Sequence, residues 1–461
     1  MRSGERLSVR DGLTRLATYP YHVLTWVDGT GYPVSVAVVA HVDPGAATAT
    51  FATPAGFDVP TNREVSLTGS HIRPQPGYGY DERRHVTVWG RVATAPAGQA
   101  LRAIRAWGWD EAEVPFFEYS ERSVGQSRRY FDALSAERGT PVKPRLAIGW
   151  LALRATRLPF LSATILPVVI GLAIAASHGF FEPLTAILTV IGAALVHLGV
   201  NVANDVFDTR LGADDVNVTP TRYSGGSRVI QYGLLSLPQM ALLSTTFYAG
   251  AAAIGILLLT LRGSTALLVI GALGLIVSLE YTAPPLKLVY RGLGELAVAL
   301  GFGPLMVLGA YVVQSRGALS WEPVVASIPL AVLVALILYV NEIPDRRGDS
   351  HAGKRTLPVR LSPRAVVRGY DAALAVAYLS IIVGVGLGLL PLPAIAVLLT
   401  IPIAREVRAG LRPNYDNPYA LIAIMGRNIR VHSLAGALLL GAYLLVLLTK
   451  AFAPSLDLFV S

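Results

Sequence analysis

Two groups of carboxylate and amide side chains follow long apolar stretches of the chain. The first group, Asn204, Asp205 and Asp208, lies in the segment NVANDVFDTRLGAD directly after the apolar stretch 184–200. The second group belongs to the segment NEIPDRRGD and consists of Asn341, Asp345 and Asp349. A charged side chain at bilayer depth costs at least about 2.5 kcal/mol, so a plain membrane helix has no reason to carry either group. Both groups are candidates for a functional site.

Short-spaced aspartates of this kind suit a hard divalent cation. Mg²⁺ prefers octahedral oxygen ligation and usually binds through one or two carboxylates together with substrate phosphates. Asp205 with Asp208 would hold one ion, and Asp345 with Asp349 would hold a second. Two such ions would bridge a diphosphate, screen its charge and make it a leaving group. We therefore predict that these four aspartates are the catalytic and metal-binding residues.

Basic residues and a glycine-rich loop accompany the two acidic groups. The loop 223–227, YSGGS, offers backbone N–H groups that could form an anion-binding nest, and Ser224 is included among the diphosphate-binding candidates. Guanidinium and ammonium groups donate to phosphate oxygens, and the candidates here are Arg222, Arg228, Lys287, Lys354 and Arg355. The alternative is that these acids and bases pair as solvated salt bridges. Two similar clusters on one face of the membrane disfavour that alternative.

The composition is that of a membrane protein with a more polar first part. The 461 residues are 53% hydrophobic and 15% charged, and the mean hydropathy is +0.51. The chain has no cysteine, which excludes disulfides, thiolate metal sites and cysteine nucleophiles. The formal net charge is +9, but the basic residues lie at the ends of apolar stretches, where membrane topology places them. No nucleic-acid partner is therefore expected.

Nine apolar stretches are long enough to cross a bilayer, which takes about 20 residues each. They are 158–177, 183–204, 237–261, 264–282, 293–314, 323–343, 369–390, 391–410 and 432–451. Lys and Arg crowd the ends of these stretches on one side, whereas the other side carries only Arg262, Arg316 and Lys450. By the positive-inside rule, the N-terminus and both acidic groups face the cytoplasm and the C-terminus lies outside. The expected location is the cell (inner) membrane, with the lipid bilayer as a partner.

The first part of the chain has the pattern of a small β domain. Apolar, β-branched runs at 23–27, 34–40, 49–53, 65–68 and 85–92 are separated by Pro and Gly turns. We predict a helix over 96–108 and an antiparallel barrel for 1–137 as a whole. The N-terminus lacks the apolar core of a signal peptide, so this domain is expected in the cytoplasm. Residues 138–157 are a linker whose basic amphipathic part either lies on the membrane surface or begins the next span.

The motifs NDVFDTRLGAD, NEIPDRRGDSHAGKRTL and YTAPPLKLVYRGLGEL resemble those of the UbiA superfamily of intramembrane prenyltransferases. Within it, the chain most resembles the 1,4-dihydroxy-2-naphthoate prenyltransferases of the menaquinone pathway. The resemblance implies an all-α bundle of nine transmembrane helices over 158–461, with a cavity open sideways to lipid. It also implies substrate or diphosphate contacts for Asn204, Tyr281, Lys287 and Asn341. The third aspartate of the first motif falls at Asp214, as in the naphthoate branch, with Asp215 as the alternative ligand.

The β domain resembles the pyridoxamine-phosphate-oxidase-like, FMN-binding split barrels. The resemblance lies in VLTWVDGTGYPVSVAVV, TNREVSLTG and HVTVWGRV. It implies an FMN cofactor, and the alternative is a β domain without flavin. The fold class expected is therefore multi-domain, with a small antiparallel β split barrel followed by a linker and a nine-helix membrane bundle.

Together the resemblances imply a Mg²⁺-dependent transfer of a polyprenyl group from a polyprenyl diphosphate to an aromatic acceptor, above all 1,4-dihydroxy-2-naphthoate. The diphosphate ionises, and the acceptor attacks the allylic cation. One alternative is a prenyltransferase of the same superfamily with another acceptor. Another is an ion-coupled transporter, which would carry its acidic residues near the middle of the spans, whereas here they lie at the ends.

Overall fold

The computed structural model describes residues 5–75, 79–96, 98–144, 146–217, 220–453 and 455–459. The chain divides into two compact units, Met1–Lys143 and Pro144–Ser461. All strands of the described residues belong to the first unit, whereas the second unit is helical.

In the described residues, the first unit is built around one antiparallel sheet of eight strands. They are β1 Glu5–Leu7, β2 His22–Val27, β3 Pro33–Val38, β4 Ala40–Asp43, β5 Thr48–Phe51, β6 Glu64–Gln75, β7 Gly79–Ala95 and β8 Gly98–Asp110. Their order is β3-β2-β6-β7-β8-β5-β4, and β1 pairs with β8. Helix α1, Val9–Leu16, contributes the fully buried Leu13 and Leu16 to the same core as Leu24 and Leu67 of the sheet. The result is an antiparallel β half-barrel.

The β runs predicted from the sequence lie in strands. Runs 23–27, 65–68 and 85–92 fall inside β2, β6 and β7. Runs 34–40 and 49–53 overlap β3 and β5. In β2 the alternate residues Leu24 and Trp26 are buried, as the period-two alternation of side chains requires in a sheet with one covered face. These strand predictions are confirmed.

The predicted helix over 96–108 is wrong, because residues 98–110 form strand β8. Ala, Leu and Arg are common in this segment and favour helices. However, β8 pairs with β7 on one edge and with β5 on the other. Backbone hydrogen bonds to a strand on each side outweigh the weak intrinsic preference of these residues for a helix. The helix of this region comes later, as α2, Phe116–Arg138, which ends at Gly139 with φ 66°.

The second unit is a bundle of apolar helices. In chain order they are α3 Ile148–Ala155, α4 Ser162–Ser177, α5 Pro183–Arg210, α6 Ala213–Val216, α7 Leu237–Arg262, α8 Thr265–Glu280, α9 Gly294–Leu300, α10 Met306–Gln314, α11 Trp321–His351, α12 Leu357–Arg360, α13 Pro363–Gly386, α14 Ile401–Leu411 and α15 Pro418–Phe452. A π-helical turn, Gly301–Leu305, joins α9 to α10. A 3₁₀ segment, Leu392–Thr400, leads into α14.

Within the described ranges, six helical segments are long and apolar enough to span a membrane. They are Pro183–Arg210, Leu237–Arg262, Gly294–Gln314, Trp321–His351, Pro363–Gly386 and Pro418–Phe452. Two further apolar helices, α4 and α8, have 16 residues each. The chain is therefore a multi-pass membrane protein. The predicted stretch 391–410 combines the 3₁₀ segment with α14, and the count of nine spans stays a prediction.

The two acidic groups lie on the last turns of long helices. Helix α5 continues past the predicted end at 204 and carries Asp205 and Asp208. Helix α11 continues through Pro344 and carries Asp345 and Asp349. A helix fixes the rise and rotation between its residues, so each group is held on a rigid element.

Close backbone packing holds part of the bundle together. An added Cβ at Gly171 of α4 would overlap the carbonyl oxygen of Val307 in α10. One at Gly303, in the π-helical turn, would overlap Ala331 of α11. Small residues let membrane helices approach closely, so that van der Waals contacts stabilise the pair. These two glycines are therefore packing residues.

The Gly171→Ala variant is expected to be less stable than the wild type by about 1–3 kcal/mol, the usual cost of forcing a methylene-sized group into a packed core. Thermal denaturation of the purified protein in detergent measures this as a lower melting temperature. Gly441→Ala is the matched control, because a Cβ at Gly441 meets no atom within 4 Å. A melting temperature of Gly171→Ala at or above that of the control would contradict the packing described.

Candidate functional site

A cavity of about 640 Å³ lies inside the helical unit. Helices α5, α7, α8, α10 and α11 contribute most of its wall, which is apolar along the helix interiors. The wall is polar where α5 and α11 end. The residues with ionisable side chains on the wall towards that end are Arg157, Asp208, Asp214, Glu342, Asp345, Asp349 and Lys354.

Lys354 joins the two acidic helix ends. Its Nζ lies 2.7 Å from Oδ2 of Asp208 on α5 and 3.7 Å from Oδ1 of Asp349 on α11. Only 8% of Lys354 is exposed. Burial alone would lower the pKa of Lys354, but the two carboxylates hold it well above its usual range, so the ammonium stays charged. The ends of α5 and α11 therefore lie side by side, with one positive charge between their carboxylates.

Asp208 is held by further hydrogen bonds on both carboxylate oxygens. Nδ2 of Asn204 donates to Oδ2 at 3.0 Å, and the hydroxyl of Tyr290 donates to Oδ1 at 2.8 Å. The hydroxyl of Thr282 donates to Oδ1 of Asn204 at 2.8 Å. That contact fixes the orientation of the amide, so the whole group presents Asp208 to the cavity in one position.

The glycine-rich loop 223–227 packs against Asp345. The N–H of Gly225 donates to Oδ2 of Asp345 at 2.8 Å, and Nδ2 of Asn217 donates to Oδ1 at 3.0 Å. Gly225 and Gly226 both have φ 77°, a conformation that glycine adopts without steric cost. Ser227 likewise donates its N–H to a carboxylate, that of Asp205, and the N–H groups of Tyr223 and Ser224 donate to the hydroxyl of Thr221. Four donors of the predicted anion-binding nest are therefore already engaged within the protein.

Asp205 points away from the cavity wall. It is 2% exposed and does not line the cavity. Nη2 of Arg157 donates to its Oδ1 at 2.8 Å, and the N–H of Ser227 donates to its Oδ2 at 3.1 Å. These contacts tie the glycine-rich loop and the segment before α4 to helix α5. Both carboxylate oxygens of Asp205 accept hydrogen bonds in this structure, so Asp205 holds these segments together.

Asp214 and Asp215, the two alternatives for the third aspartate, differ in position. Asp214 is buried on the cavity wall, and its Oδ2 has no hydrogen-bond partner among the described residues. Burial raises the pKa of Asp214 well above its usual range, and the charges of Asp208 and Asp205 raise it further. Asp215 is exposed and accepts a 3.3 Å hydrogen bond from Gln231. Of the two, Asp214 is therefore the one on the cavity wall.

The oxygen atoms at this end of the cavity fit Mg²⁺ bound together with phosphate. Across the described residues, no three His, Asp or Glu side chains stand close enough to hold an ion alone. Mg²⁺ does not require such a cluster, because it keeps several waters and takes one or two carboxylates plus phosphate oxygens. Oδ2 of Asp214 and Oδ1 of Asn341 are buried without partners in the described part of the chain. Both are hard oxygen donors of the kind that Mg²⁺ takes.

Most of the predicted site residues lie on the cavity wall. They are Asn204, Asp208, Asp214, Ser224, Tyr281, Asn341, Asp345, Asp349 and Lys354. The predicted residues that lie off the wall are Asp205, Arg222, Arg228, Lys287 and Arg355. Arg222 and Arg355 are exposed, and the buried guanidinium of Arg228 donates to the backbone carbonyl of Asp214. Of the predicted basic residues, Lys354 is the one on the cavity wall, which it shares with Arg157.

Three residues that shape the site were missed by sequence reasoning. Arg157 pairs with Asp205, Asn217 donates to Asp345, and Tyr290 donates to Asp208. Tyr290 lies in the motif YTAPPLKLVYRGLGEL, so that motif contained the available signal. Arg157 precedes the first span and looks like an ordinary topology-setting residue, so its contact across the bundle had no sequence signal.

The cavity wall also carries aromatic rings. Nδ1 of His197 lies 2.8 Å from the Thr164 hydroxyl, and its Nε2 has no partner among the described residues. The rings of His197 and Phe302 meet edge to face at 5.5 Å, and those of Phe160 and Tyr223 at 6.2 Å. Aromatic faces stabilise a nearby cation, and apolar walls exclude water. This part of the cavity suits a carbocation that water would otherwise quench.

A second cavity, of about 380 Å³, lies in the first unit on strands β6 and β7. Arg83 and Arg84 line it together with Thr68 and Ser70. His85 lies on the same wall, and burial lowers its pKa, so that its ring is neutral at pH 7. Guanidinium groups and hydroxyls are good donors to phosphate oxygens. Consecutive strand residues point to opposite faces of a sheet, and the guanidinium of Arg83 is the one that lies beside this wall, 4.0 Å from the ring of Phe116. Arg83 is therefore the candidate donor to an anionic group.

Comparison with known proteins gives concordant matches. A profile described as "UbiA prenyltransferase family" matches residues 164–429. The chain is 32% identical over 231 residues to the 1,4-dihydroxy-2-naphthoate octaprenyltransferase of Escherichia coli (strain K12), covering 49% of this chain and 72% of that protein. It is 25% identical over 297 residues to the 2-carboxy-1,4-naphthoquinone phytyltransferase of Synechocystis sp., covering 64% and 92%. The apo structure of a UbiA homolog from Aeropyrum pernix K1 superposes with a TM-score of 0.46 at 21% identity, over 62% of this chain and 98% of that one.

Proposed function

This chain belongs to the UbiA prenyltransferase family, and we propose that it transfers a polyprenyl group from a polyprenyl diphosphate to 1,4-dihydroxy-2-naphthoate. The observation that carries the proposal is the meeting of two acidic helix ends at one end of an apolar cavity. A diphosphate requires the charged end, and its hydrocarbon tail requires the apolar remainder. The relative from E. coli is named for the same naphthoate acceptor, which supports that choice over other phenolic acceptors.

The diphosphate is assigned to the end of the cavity between α5 and α11. Asp208, Asp214, Asp345 and Asp349 would hold Mg²⁺ there, and Lys354 would donate to a diphosphate oxygen. When bound, Mg²⁺ supplies the positive charge that makes the diphosphate a leaving group. The other wall residues with polar side chains that would contact the diphosphate or the acceptor are Asn204, Ser224, Tyr281 and Asn341. Residues off the wall, such as Asp205 and Arg228, would support the site by fixing the loops around it.

The chemistry follows from this division of the cavity. The C1–O bond of the prenyl diphosphate breaks, and its electron pair leaves with the diphosphate. The apolar and aromatic walls keep water from the allylic cation, and the faces of Phe302 and Tyr223 stabilise it. The ring carbon that bears the carboxylate then attacks C1 and forms the new C–C bond. The ring carboxylate departs as CO₂ and returns its electron pair to the ring.

The acidic end of the cavity is placed at the cytoplasmic face of the inner membrane, with nine spans over 158–461 and the C-terminus outside. The concentration of Lys and Arg at those ends of the apolar stretches supports this orientation. Residues 138–157 would form the linker. Within it, helix α3 exposes Ile148 (85%), Trp150 and Leu153, which are side chains suited to the membrane surface.

Residues 1–137 are proposed to form a split barrel that binds FMN. The cavity on β6 and β7 supports this, because Arg83 could donate to the phosphate. Aromatic rings stand close to the same strands: Tyr119 stacks on Trp107 at 5.7 Å and on Trp109 at 4.4 Å. When bound, FMN would supply electron transfer to or from a quinone.

The substitution Arg83→Gln is expected to weaken FMN binding about tenfold or more, since a charge-assisted contact to a phosphate contributes about 1.5–3 kcal/mol. Quenching of FMN fluorescence on titration with purified full-length protein measures the affinity. Arg91→Gln is the control, because Arg91 is exposed on β7 and does not line the cavity. Equal affinity of the wild type for FMN and riboflavin, or no binding of either, would reject the phosphate site.

The enzyme assay tests the proposed activity directly. Purified full-length protein receives Mg²⁺, labelled octaprenyl or shorter prenyl diphosphates, and a panel of phenolic and naphthoic acids. We expect a prenylated product from 1,4-dihydroxy-2-naphthoate, release of CO₂ from its labelled carboxyl group, and loss of both when EDTA removes Mg²⁺. Faster transfer to another acceptor would reassign the acceptor while keeping the family. No transfer to any acceptor would overturn the proposal.

A further inference from the structure

One buried carboxyl on the wall of the large cavity has no partner that explains its position. Glu342 of α11 is 6% exposed and lines the cavity. In the described part of the chain, no N–H or hydroxyl group donates to either of its oxygens. Its close neighbour is a second carboxyl, that of Glu295 on α9, which offers no positive charge. The ammonium of Lys354 pairs with Asp208 and Asp349 instead.

Packing does not account for the carboxyl of Glu342. A buried carboxyl without a donor is destabilising, because it has left water and gained no hydrogen bond in return. The second carboxyl beside it adds to that cost, since like charges disfavour each other. A leucine has a similar size and would fill the same place at no such cost. Buried polar atoms without partners therefore call for a ligand that satisfies them.

Glu342 lies where the polar end of the cavity gives way to the apolar part. At 1.5 Å per residue along α11, it is about 4.5 Å from Asp345 and about 10 Å from Asp349. Leu338, one turn before Glu342 on the same side of the helix, also lines the cavity. The reacting C1 of a prenyl diphosphate is bonded both to the diphosphate and to the apolar tail. C1 therefore belongs at this border, and the second substrate must meet it there.

The chemistry of Glu342 selects a ligand that donates a hydrogen bond. An ionised carboxylate only accepts, and a protonated carboxyl keeps an accepting oxygen, so the side chain accepts in either state. An ionised diphosphate has no proton to donate, whereas a ring hydroxyl has one. In 1,4-dihydroxy-2-naphthoate the C1 hydroxyl bonds to the adjacent carboxylate within the molecule. The C4 hydroxyl has no such partner and is free to donate to the protein.

We propose that Glu342 binds the aromatic acceptor by accepting a hydrogen bond from its C4 hydroxyl. The inference rests on the proposed function, because it names a contact of the second substrate of that reaction. The carboxylate of the acceptor is repelled by carboxyl groups, so it points away from Glu342 and Glu295. The hydroxyl and the carboxylate lie on different edges of the ring. Together these two contacts fix which way round the acceptor enters and which carbon is presented to C1.

A pair of ligands that differ in one hydrogen-bond donor tests this contact. They are 4-hydroxy-2-naphthoate and 4-methoxy-2-naphthoate, and titration calorimetry on purified full-length protein in detergent gives their Kd values. Mg²⁺ and geranyl S-thiolodiphosphate, an analogue that ionises poorly, occupy the donor site without turnover. The wild type is expected to bind the hydroxy ligand about tenfold more tightly, as a hydrogen bond to a charged group allows.

Substitution of Glu342 separates the hydrogen bond from packing. Glu342→Leu is expected to bind the two ligands equally, whereas Glu342→Gln, whose amide oxygen still accepts, is expected to keep part of the preference. The melting temperature of Glu342→Leu is expected at or above that of the wild type, because no donor loses its partner. Glu406→Leu is the control, since Glu406 is exposed on α14 and off the cavity wall. It is expected to keep the wild-type ratio of affinities.

The outcomes distinguish this contact from the proposed reaction. A wild-type ratio in Glu342→Leu would overturn the contact. Weaker binding of geranyl S-thiolodiphosphate and Mg²⁺ by Glu342→Leu would also overturn it, because the carboxyl would then belong to the diphosphate end. If Glu342→Leu loses the ratio while the wild type transfers no prenyl group to any acceptor, the contact stands and the reaction fails. If the wild type prenylates 1,4-dihydroxy-2-naphthoate but binds both ligands equally, the reaction stands and the contact fails.

Discussion

Asp208→Asn is expected to lower the rate of prenyl transfer about a thousandfold, equivalent to about 4 kcal/mol of transition-state stabilisation. Asp208 lies on the cavity wall, 2.7 Å from the ammonium of Lys354, and accepts from Asn204 and Tyr290. The amide keeps the shape of the carboxylate but removes its charge. The variant would therefore bind Mg²⁺ weakly, and the ammonium of Lys354 would lose the negative charge beside it. Initial rates measured over a range of Mg²⁺ concentrations give the change.

Asp215→Asn is the matched control for this substitution. Asp215 is exposed, lies near the same helix end and does not line the cavity. It is expected to keep the rate and the Mg²⁺ dependence of the wild type. Similar rates for Asp208→Asn and Asp215→Asn would exclude Asp208 from the diphosphate site. Asp214→Asn, measured beside them, is expected to behave like Asp208→Asn in direction, because Asp214 faces the cavity.

Lys354→Gln is expected to lower both the activity and the stability of the protein. The ammonium lies between Asp208 and Asp349, and removing one partner of a buried ion pair usually destabilises by about 3–5 kcal/mol. Prenyl transfer is expected to fall about a hundredfold, since a charge-assisted donor to the diphosphate is lost. Thermal denaturation gives the loss of stability, and steady-state rates give the loss of activity.

Added Mg²⁺ distinguishes this explanation from a general folding defect. A divalent cation can replace the missing charge between the carboxylates, so Mg²⁺ is expected to raise the melting temperature of Lys354→Gln more than that of the wild type. Arg355→Gln is the control. Arg355 follows Lys354 in the chain, but its side chain is exposed and off the cavity wall. If the two variants respond equally to Mg²⁺, Lys354 does not lie at a cation-binding site.

The sequence could predict those parts of the structure in which apolar residues recur at a regular spacing or charged residues follow an apolar stretch. Apolar stretches marked the long spans, and β alternation marked β2, β6 and β7. Carboxylates after an apolar stretch marked both acidic groups, because burying a charge in lipid is costly enough to require a reason. The helix prediction was wrong in the segment 98–110, because strands pair with both its edges and outweigh its helix-favouring composition.

The arrangement within the site depended on contacts between distant parts of the chain. Asp205 and Asp208 look equivalent in sequence, yet Asp205 is engaged by Arg157 and Ser227 while Asp208 faces the cavity. Lys354 and its neighbour Arg355 are both basic, so the sequence does not tell which of them lies in the site. Only the three-dimensional turn after α11 places one side chain inside and the other outside.

The hydrogen bond from the N–H of Gly225 to Asp345 bears on how the proposed ligand would enter the site: a phosphate oxygen would replace Asp345 as the acceptor of this N–H. Asp345 occupies the N–H of Gly225, so under the proposed function a phosphate oxygen could take this donor only by displacing the carboxylate. Affinity for the head group is then the difference between two similar attractions, which favours easy release of the pyrophosphate product. If such an exchange takes place, a fluorescent reporter placed on the loop 223–227 would respond when a prenyl diphosphate is added.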